Sequence, residues 1–307
     1  GVDLIYGYPG VAIMPIYDEL YKFQDQLDHV LTRHEQGATH MAQGYARTSG
    51  RVGVAMATSG PGATNLVTGI ADAQIDSTPM VCITGQVASH LLGSDAFQET
   101  DIIGISTPVT KWNYQITKAS EIPEIMAKAF YIARSGRPGP VLVDITKDAQ
   151  FELFDFSYEK CKGVRSYKPV PTMDMKQVEE AAAAINEAKQ PMIVWGQGVI
   201  LGEAEEEFKT FVESTGIPSV WTILGLSALP TSHPRSLLLC AILTTPRHVQ
   251  KDNTAVLSPA ILVTALRPLN VVLVPPAHEP VTKVHSFTNT RGICCRFRIV
   301  SKHALMK

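Results

Sequence analysis

Over the first 145 residues, short apolar runs alternate with longer amphipathic ones. Val2–Tyr6 reads as a strand and Ile13–Gln24 as a helix. Leu27–Leu31 (LDHVL), bounded by polar residues, reads as a short buried strand. A run dense in small residues then continues to Gly50, with Ala38, Ala42 and Ala46 recurring at i, i+4 and i+8, so one face of the predicted helix is nearly bare. Val52–Ala57 and Met80–Thr84 read as strands, with a helix over Ala63–Ala73 between them. Glu121–Ser135 is a helix with the apolar stripe Ile122, Ile125, Met126, Ala129, Ile132 and Ala133, and Val141–Ile145 is the last strand of the series. Apolar strands alternating with helices predict an α/β fold, a parallel sheet with helices on both faces. Ligands in such folds bind beyond the carboxyl ends of the strands. Glu35, the Ser59–Asn65 segment and the Gly85–Gln86 turn all follow predicted strands there.

The pattern divides the chain into residues 1–150, a linker over 151–172, a second, incomplete α/β unit over 173–234 and an atypical tail over 235–307. The linker stretch gathers Phe151, Phe154, Phe156, Tyr158 and Tyr167 with Pro169 and Pro171, and predicts an extended connection anchored by aromatics. The second unit reads as helix Met175–Ala188, strand Met192–Trp195, glycine loop Gly196–Gly202, helix Glu203–Thr215 and strand Ser219–Ile223. Its acidic face, Glu203 and Glu205–Glu207, is most simply solvated. Beyond Pro234 the composition changes: one of 22 glycines, Gly292, and two of 29 acidic residues, Asp252 and Glu279, lie there. An unusual domain, a disordered extension or a slipped reading frame would each produce this. The shortage of acid and glycine argues most for the slipped frame, with little packed structure expected.

Length changes this picture little, since 307 residues suit two domains. With 45% apolar and 18% charged residues and a net charge of −2, the chain is expected to be soluble, with no electrostatic reason to expect nucleic acid or membrane as a partner. Cys82, Cys161, Cys240, Cys294 and Cys295 show no paired spacing, which predicts free thiols in a reducing, cytoplasmic compartment and no zinc site. Pro259–Ala277 is broken by Arg267 and Pro268 and makes a poor transmembrane candidate. No leader is visible and Gly1 opens in what reads as mid-strand, so the chain is expected to be part of a longer product.

Candidate chemistry centres on Arg33-His-Glu-Gln36, at a strand end and at the mouth of the bare-faced helix. Glu35 is singled out. The plain reading is a carboxylate favoured by the helix dipole; the functional one is a partly buried carboxyl that exchanges a proton with a ligand. Ser59-Gly-Pro-Gly-Ala-Thr-Asn65 lets backbone approach a ligand but lacks a P-loop lysine, and a tight turn explains it equally well. Gly196-Gln-Gly198-Val-Ile-Leu-Gly202 modestly suggests a nucleotide. Asp95-Ala-Phe-Gln-Glu99 reads as an exposed loop in which Phe97 would be an odd residue to leave in water. Gly136-Arg-Pro-Gly-Pro140 sets one guanidinium at a rigid turn, as a surface feature or an anion contact.

Taken together, GYPG, RHEQG, TSGPGATN, ITGQV, DAFQE and SGRPGPVLVDI-KD, in that order and spacing, resemble the catalytic subunit of the acetolactate (acetohydroxyacid) synthase family. The resemblance covers roughly residues 1–234. It implies a thiamine-diphosphate pyrimidine-binding domain over 1–150, then the start of a central FAD-binding domain. It implies decarboxylation of pyruvate and carboligation to a second 2-keto acid, pyruvate or 2-ketobutyrate, in branched-chain amino-acid synthesis. Glu35 matches the glutamate that shares a proton with N1′ of the cofactor pyrimidine, favouring the imino tautomer that activates the thiazolium. Pro61, Asn65 and Gln98 match positions lining the cofactor or substrate pocket. Phe97, Lys111 and Lys147, with Val11, match the substrate channel. Ser77, Arg137, Gly196, Gln197, Thr222 and Ile223 match flavin contacts.

The same resemblance implies a homodimer or tetramer with the active site shared between subunits, and a small regulatory subunit. It also implies Mg2+ held by a diphosphate domain whose GDG motif does not occur here. The chain alone is then expected to be inactive. Three departures stand out: Val11 in place of a second glycine, expected to crowd the active-site backbone; Gln197 in place of the middle glycine of a triple; and Thr146 in place of proline. Another flavin-containing thiamine enzyme, such as a pyruvate oxidase, and a non-catalytic nucleotide-binding or dimerisation module are the alternatives.

Overall fold

The structure is a computed structural model, and it describes residues 2–237 together with the short strands Leu262–Val263, Val272–Leu273 and Ile299–Val300. Two compact units divide at Lys168 and Pro169. Most of the predicted tail lies outside the described residues.

The first unit runs β1 (Leu4–Gly7), α1 (Met14–Tyr21), β2 (Asp28–Leu31), α2 (Glu35–Ser49), β3 (Gly53–Ala57), α3 (Pro61–Asn65), α4 (Val67–Ile75), β4 (Met80–Gln86), α5 (Ile102–Ser106), β5 (Trp112–Ile116), α6 (Ile122–Arg134), β6 (Pro140–Thr146) and α7 (Lys147–Phe151). Its six strands lie in the order β2-β1-β3-β4-β6-β5, and every pairing is parallel. The α/β expectation holds, with helices on both faces. Successive strand residues face opposite ways: Val54, Met56, Val81 and Ile83 pack with α6, while Ala55, Ala57, Met80 and Cys82 pack with α2 and α4. Central strands buried on both faces carry no polar alternation, which is why they read as continuous apolar runs.

The bare face of α2 is used as expected. Ala38 and Ala42 are fully buried, and a methyl group on Gly53 would overlap the carbonyl oxygen of Ala42. His34 ends its extended approach by accepting the Gln36 N–H on Nδ1 at 3.1 Å, and Gly50, at φ 69°, closes the helix.

Several expectations need correction. Leu27–Leu31 is no buried strand: β2 is the sheet edge, with Asp28 and Leu31 exposed. Gly85 and Gln86 form no turn, because β4 extends through them to pair with Ile145 and Thr146. Strand β5 and helix α5 have no counterpart in the reading of the sequence. The connection begins with a helical turn, α7, and has no helix or strand from 152 to 174. Tyr167 anchors it, donating to the Ser135 carbonyl at 2.8 Å, whereas Phe151, Phe156 and Tyr158 are exposed.

The second unit contains α8 (Met175–Glu187), β7 (Ile193–Trp195), α9 (Gly198–Leu201), α10 (Glu205–Thr215) and β8 (Ser219–Trp221). The expected glycine loop is therefore interrupted by a helical turn. Strands β7 and β8 pair in parallel, and Val272–Leu273 adds an antiparallel neighbour to β7. Trp195, Phe208, Phe211 and Trp221 dominate its core. Cys82 and Cys161 are free thiols, and no described helix is long and apolar enough to cross a membrane.

Asp144 on β6 is wholly buried and accepts from Thr84 Oγ1 at 2.6 Å, Gln115 Nε2 at 2.8 Å and Gln86 Nε2 at 3.2 Å. Burial outweighs these bonds and pushes its carboxyl up to about 6 from 3.8. The folded state then binds this proton more tightly than the unfolded one. The associated stability is present below 3.8 and is lost as pH rises through 6, an effect on the order of 3 kcal/mol. Urea titrations from pH 4 to 7 should show that dependence in the wild type and its loss in Asp144→Asn. Gly53→Ala should destabilise the first unit by about 1–3 kcal/mol, read from the same titrations at neutral pH.

Candidate active site

In a parallel sheet, a cleft opens where successive crossovers leave in opposite directions. Here β2 lies to one side of β1 and β3 to the other, so the crossing point falls between β1 and β3. The segments following β1, β2 and β3 are Tyr8–Ile13, Thr32–His34 and Thr58–Gly60. The singled-out carboxyl stands among them.

Glu35 is the first residue of α2 and is 8% exposed. Its Oε2 accepts from Asn65 Nδ2 at 2.9 Å, across 30 residues of sequence. Its Oε1 lies beside Gly62: a methyl there would stand 3.3 Å from that oxygen. A buried carboxyl needs partners for its oxygens, and Asn65 supplies one from the end of α3. Pro61 starts that helix and is exposed, as its missing N–H permits.

Gln98 reaches the same place by an unusual backbone. Its φ is 59°, and a methyl on Gly60, itself at φ 56°, would come 2.5 Å from the Gln98 carbonyl oxygen. The loop before it is organised by Glu99, whose carboxylate accepts the N–H groups of Gly93, Ser94 and Ala96. These backbone bonds, Gly93's foremost, hold the Glu99 carboxyl below its usual range. Phe97 is 85% exposed, so the reluctance to leave it in water is not borne out within this unit.

Val11 is 59% exposed and is absent from the residues with left-handed backbone. The expectation that it would crowd the site's backbone is therefore corrected. The position without room is Gly10, where a methyl would fall 2.5 Å from the Cβ and Cγ2 of Thr58. Thr58 opens the TSGPGATN motif without a role of its own in it, and Gln150, which binds the Ala12 carbonyl at 2.8 Å, lies outside every motif. Each binds backbone far away in sequence, a role that no local pattern announces.

The remaining residues lie elsewhere. Arg137 Nε donates to Ser77 Oγ at 2.7 Å, and its Nη2 donates to the Gln74 and Ile75 carbonyls, capping the end of α4. Ser77 sits at φ 57°. Lys111 Nζ donates to the Ile132 and Ser135 carbonyls at the end of α6 and to Tyr167 Oη at 3.1 Å. Burial first, and then the Arg137 charge, push its ammonium down to about 8. It thus binds the end of α6 and Tyr167 of the connection. Lys147 starts α7, half-buried. In the second unit, Gly196 and Gln197 follow β7, Thr222 and Ile223 follow β8, and the Thr222 N–H donates to the Trp195 carbonyl at 2.9 Å. Those four share the carboxyl end of the β7–β8 pair. Among the described residues no cluster of three or more metal-ligating side chains is present.

Two known families match the chain: the thiamine pyrophosphate enzyme N-terminal TPP binding domain over residues 1–105, and the thiamine pyrophosphate enzyme central domain over residues 178–251. The second match runs past the composition change at Pro234. The acetolactate synthase large subunit of Corynebacterium glutamicum is 54% identical over 231 residues, covering 75% of this chain and 37% of that protein. The large subunit from Mycobacterium tuberculosis is 53% identical over 237 residues, 77% of this chain and 38% of that one. Acetolactate synthase isozyme 1 large subunit of Escherichia coli is 46% identical over 237 residues, 77% and 41%. The matched stretch spans well under half the length of these relatives. With the two matches in chain order, and a buried carboxyl at the crossing point of a parallel sheet, the chain carries the N-terminal and central domains of the thiamine pyrophosphate enzymes.

Proposed function

We propose that the chain is the pyrimidine-binding and central part of an acetolactate synthase catalytic subunit. One observation carries this reading: Glu35, buried at the sheet's crossing point, is gripped on one oxygen by Asn65, while its other oxygen faces the bare edge of Gly62. A carboxyl so held fits the ring nitrogen of an aminopyrimidine, with which it can share a proton out of water's reach. Bound there, thiamine diphosphate supplies a thiazolium carbon and an electron sink for decarboxylation of a 2-keto acid.

The chain's own residues do the rest. Asn65 fixes the orientation of the Glu35 carboxylate. Gly62 and Gly60 keep the floor of the site free of side chains. Gln98, held by its loop against Gly60, offers an amide to the substrate side, and Val11 and Phe97 offer apolar surface. Lys111 and Lys147 complete the proposed channel. FAD is the second proposed cofactor, with Gly196, Gln197, Thr222 and Ile223 at the carboxyl end of the β7–β8 pair as contacts. Residues in the part of the relatives not matched here would hold Mg2+. Pyruvate and 2-ketobutyrate are the proposed substrates, in a homodimer or tetramer with a small regulatory subunit.

Titration of the purified chain with 4-amino-5-hydroxymethyl-2-methylpyrimidine tests the carrying observation. Glu35→Gln should weaken binding at least tenfold, about 1.4 kcal/mol, and Asn65→Ala by a smaller factor. Equal affinity in Glu35→Gln and wild type would refute the assignment. The 307-residue chain by itself should form no acetolactate from pyruvate, and turnover in that assay would show that half a site suffices.

A further inference from the structure

We infer that Thr58 and Gln150 are positioning residues of this site, fixing the Val11 loop against the turn beside Glu35 by holding both backbone polar groups of Ala12. The inference rests on reading the Glu35 pocket as the pyrimidine site; Thr58 opens the TSGPGATN motif without a role assigned to it there, and Gln150 lies outside every motif.

Ala12 is buried in the loop between β1 and α1. Its N–H donates to Thr58 Oγ1 at 3.2 Å, across 46 residues of sequence. Its carbonyl accepts from Gln150 Nε2 at 2.8 Å, across 138 residues. The same Nε2 donates to the Ile145 carbonyl at 2.9 Å, so the amide spans from the end of β6 to the loop. Strand β4 closes in from beneath, since a methyl on Gly85 would overlap the Ala12 carbonyl oxygen. A buried peptide group left without a partner is costly, so a loop held at both groups has one position rather than several.

Thr58 carries that position on toward the carboxyl. Its methyl lies between two glycines: a Cβ on Gly10 would come 2.5 Å from Cγ2, and one on Gly62 would come 2.7 Å from it. Gly62 is the residue beside Glu35 Oε1. The spacing from the Val11 loop to the carboxyl is thus set through a single side chain. Serine there would keep the hydroxyl and lose the wedge, while valine would keep the wedge and lose the hydroxyl.

The full 307-residue chain is the material for the test, with variants Thr58→Val, Thr58→Ser, Gln150→Met and the double variant Thr58→Val/Gln150→Met. Two readouts are taken: hydrogen exchange of the peptide containing Ala12, and affinity for 4-amino-5-hydroxymethyl-2-methylpyrimidine. Thr58→Val should speed Ala12 exchange at least tenfold. Thr58→Val and Gln150→Met should each weaken pyrimidine binding three- to tenfold, and the double variant by less than the product of the two, because both act on one residue. Thr58→Ser, which keeps the hydroxyl and loses the methyl, should leave Ala12 exchange within twofold of wild type and weaken pyrimidine binding less than Thr58→Val does. Wild-type affinity in both Thr58→Val and Gln150→Met would overturn the inference. So would a Thr58→Ser loss as large as that of Thr58→Val, or losses that simply follow thermal stability across the set. If Thr58→Val does not fold, Thr58→Ser and Gln150→Met decide by the same criteria. A wild-type chain that binds no pyrimidine refutes the reading of Glu35, while Ala12 exchange still decides whether the two side chains hold the loop.

Discussion

Where a side chain would project from Gly53, the carbonyl oxygen of Ala42 already stands. That close approach of α2 to the sheet fixes where the site can form. The helix can lie so near only because Ala38, Ala42 and Ala46 offer no bulk along the contact. Its first residue is thereby brought to the level of the strand ends, and the carboxyl of Glu35 is carried below the surface rather than into water. Gly69 on α4 repeats the device at the neighbouring position of the same helix, where a methyl would overlap the hydroxyl of Thr39. The burial of Glu35 depends on how little these contacting surfaces contain.

Glu35 could be found in the sequence because two independent signals coincide on it: a charged quartet at a strand end and a helix with a bare stripe. The strands of the first unit were legible for the reason that makes them central, unbroken apolar runs buried on both faces. The misses have physical causes too. Strand β5, Trp112–Ile116, is an edge strand of mixed residues (WNYQI) whose polar members bind inward, Gln115 to Asp144 and Asn113 to the Ile103 carbonyl. Its stretch shows no apolar period. Edge strand β2 misleads in the opposite direction, since Leu31 is apolar and nevertheless exposed. The roles of Thr58 and Gln150 are not legible along the chain, because a hydroxyl and an amide that bind distant backbone carry no local pattern, even for Thr58 at the head of TSGPGATN.

Lys111 and Arg137 show why a cation in a suggestive motif needs its neighbours before it is given a role. Each places its charge at the carboxyl end of a helix, where carbonyl groups are unpaired and the dipole favours positive charge. Arg137 does so for α4 and in passing holds Ser77, so the two side chains form one hydrogen-bonded pair within the first unit. Lys111 does so for α6 and draws Tyr167 onto it, which extends the first unit through Lys168 instead of ending it near residue 150.

The strand order bears on how the molecule comes into being. The last strand of this sheet to leave the ribosome, β6, takes a place in its middle, between β4 and β5. Until it arrives, β5 has no neighbour and β4 presents an open edge. The loop at Ala12 likewise waits for Gln150, although the grip of Thr58 on it is available much sooner in synthesis. A nascent chain therefore assembles the carboxyl and its asparagine early and in a loosely closed setting. The unit can seal only when β6 and Gln150 are free, so the early pairing of Glu35 with Asn65 is completed by a late closing step.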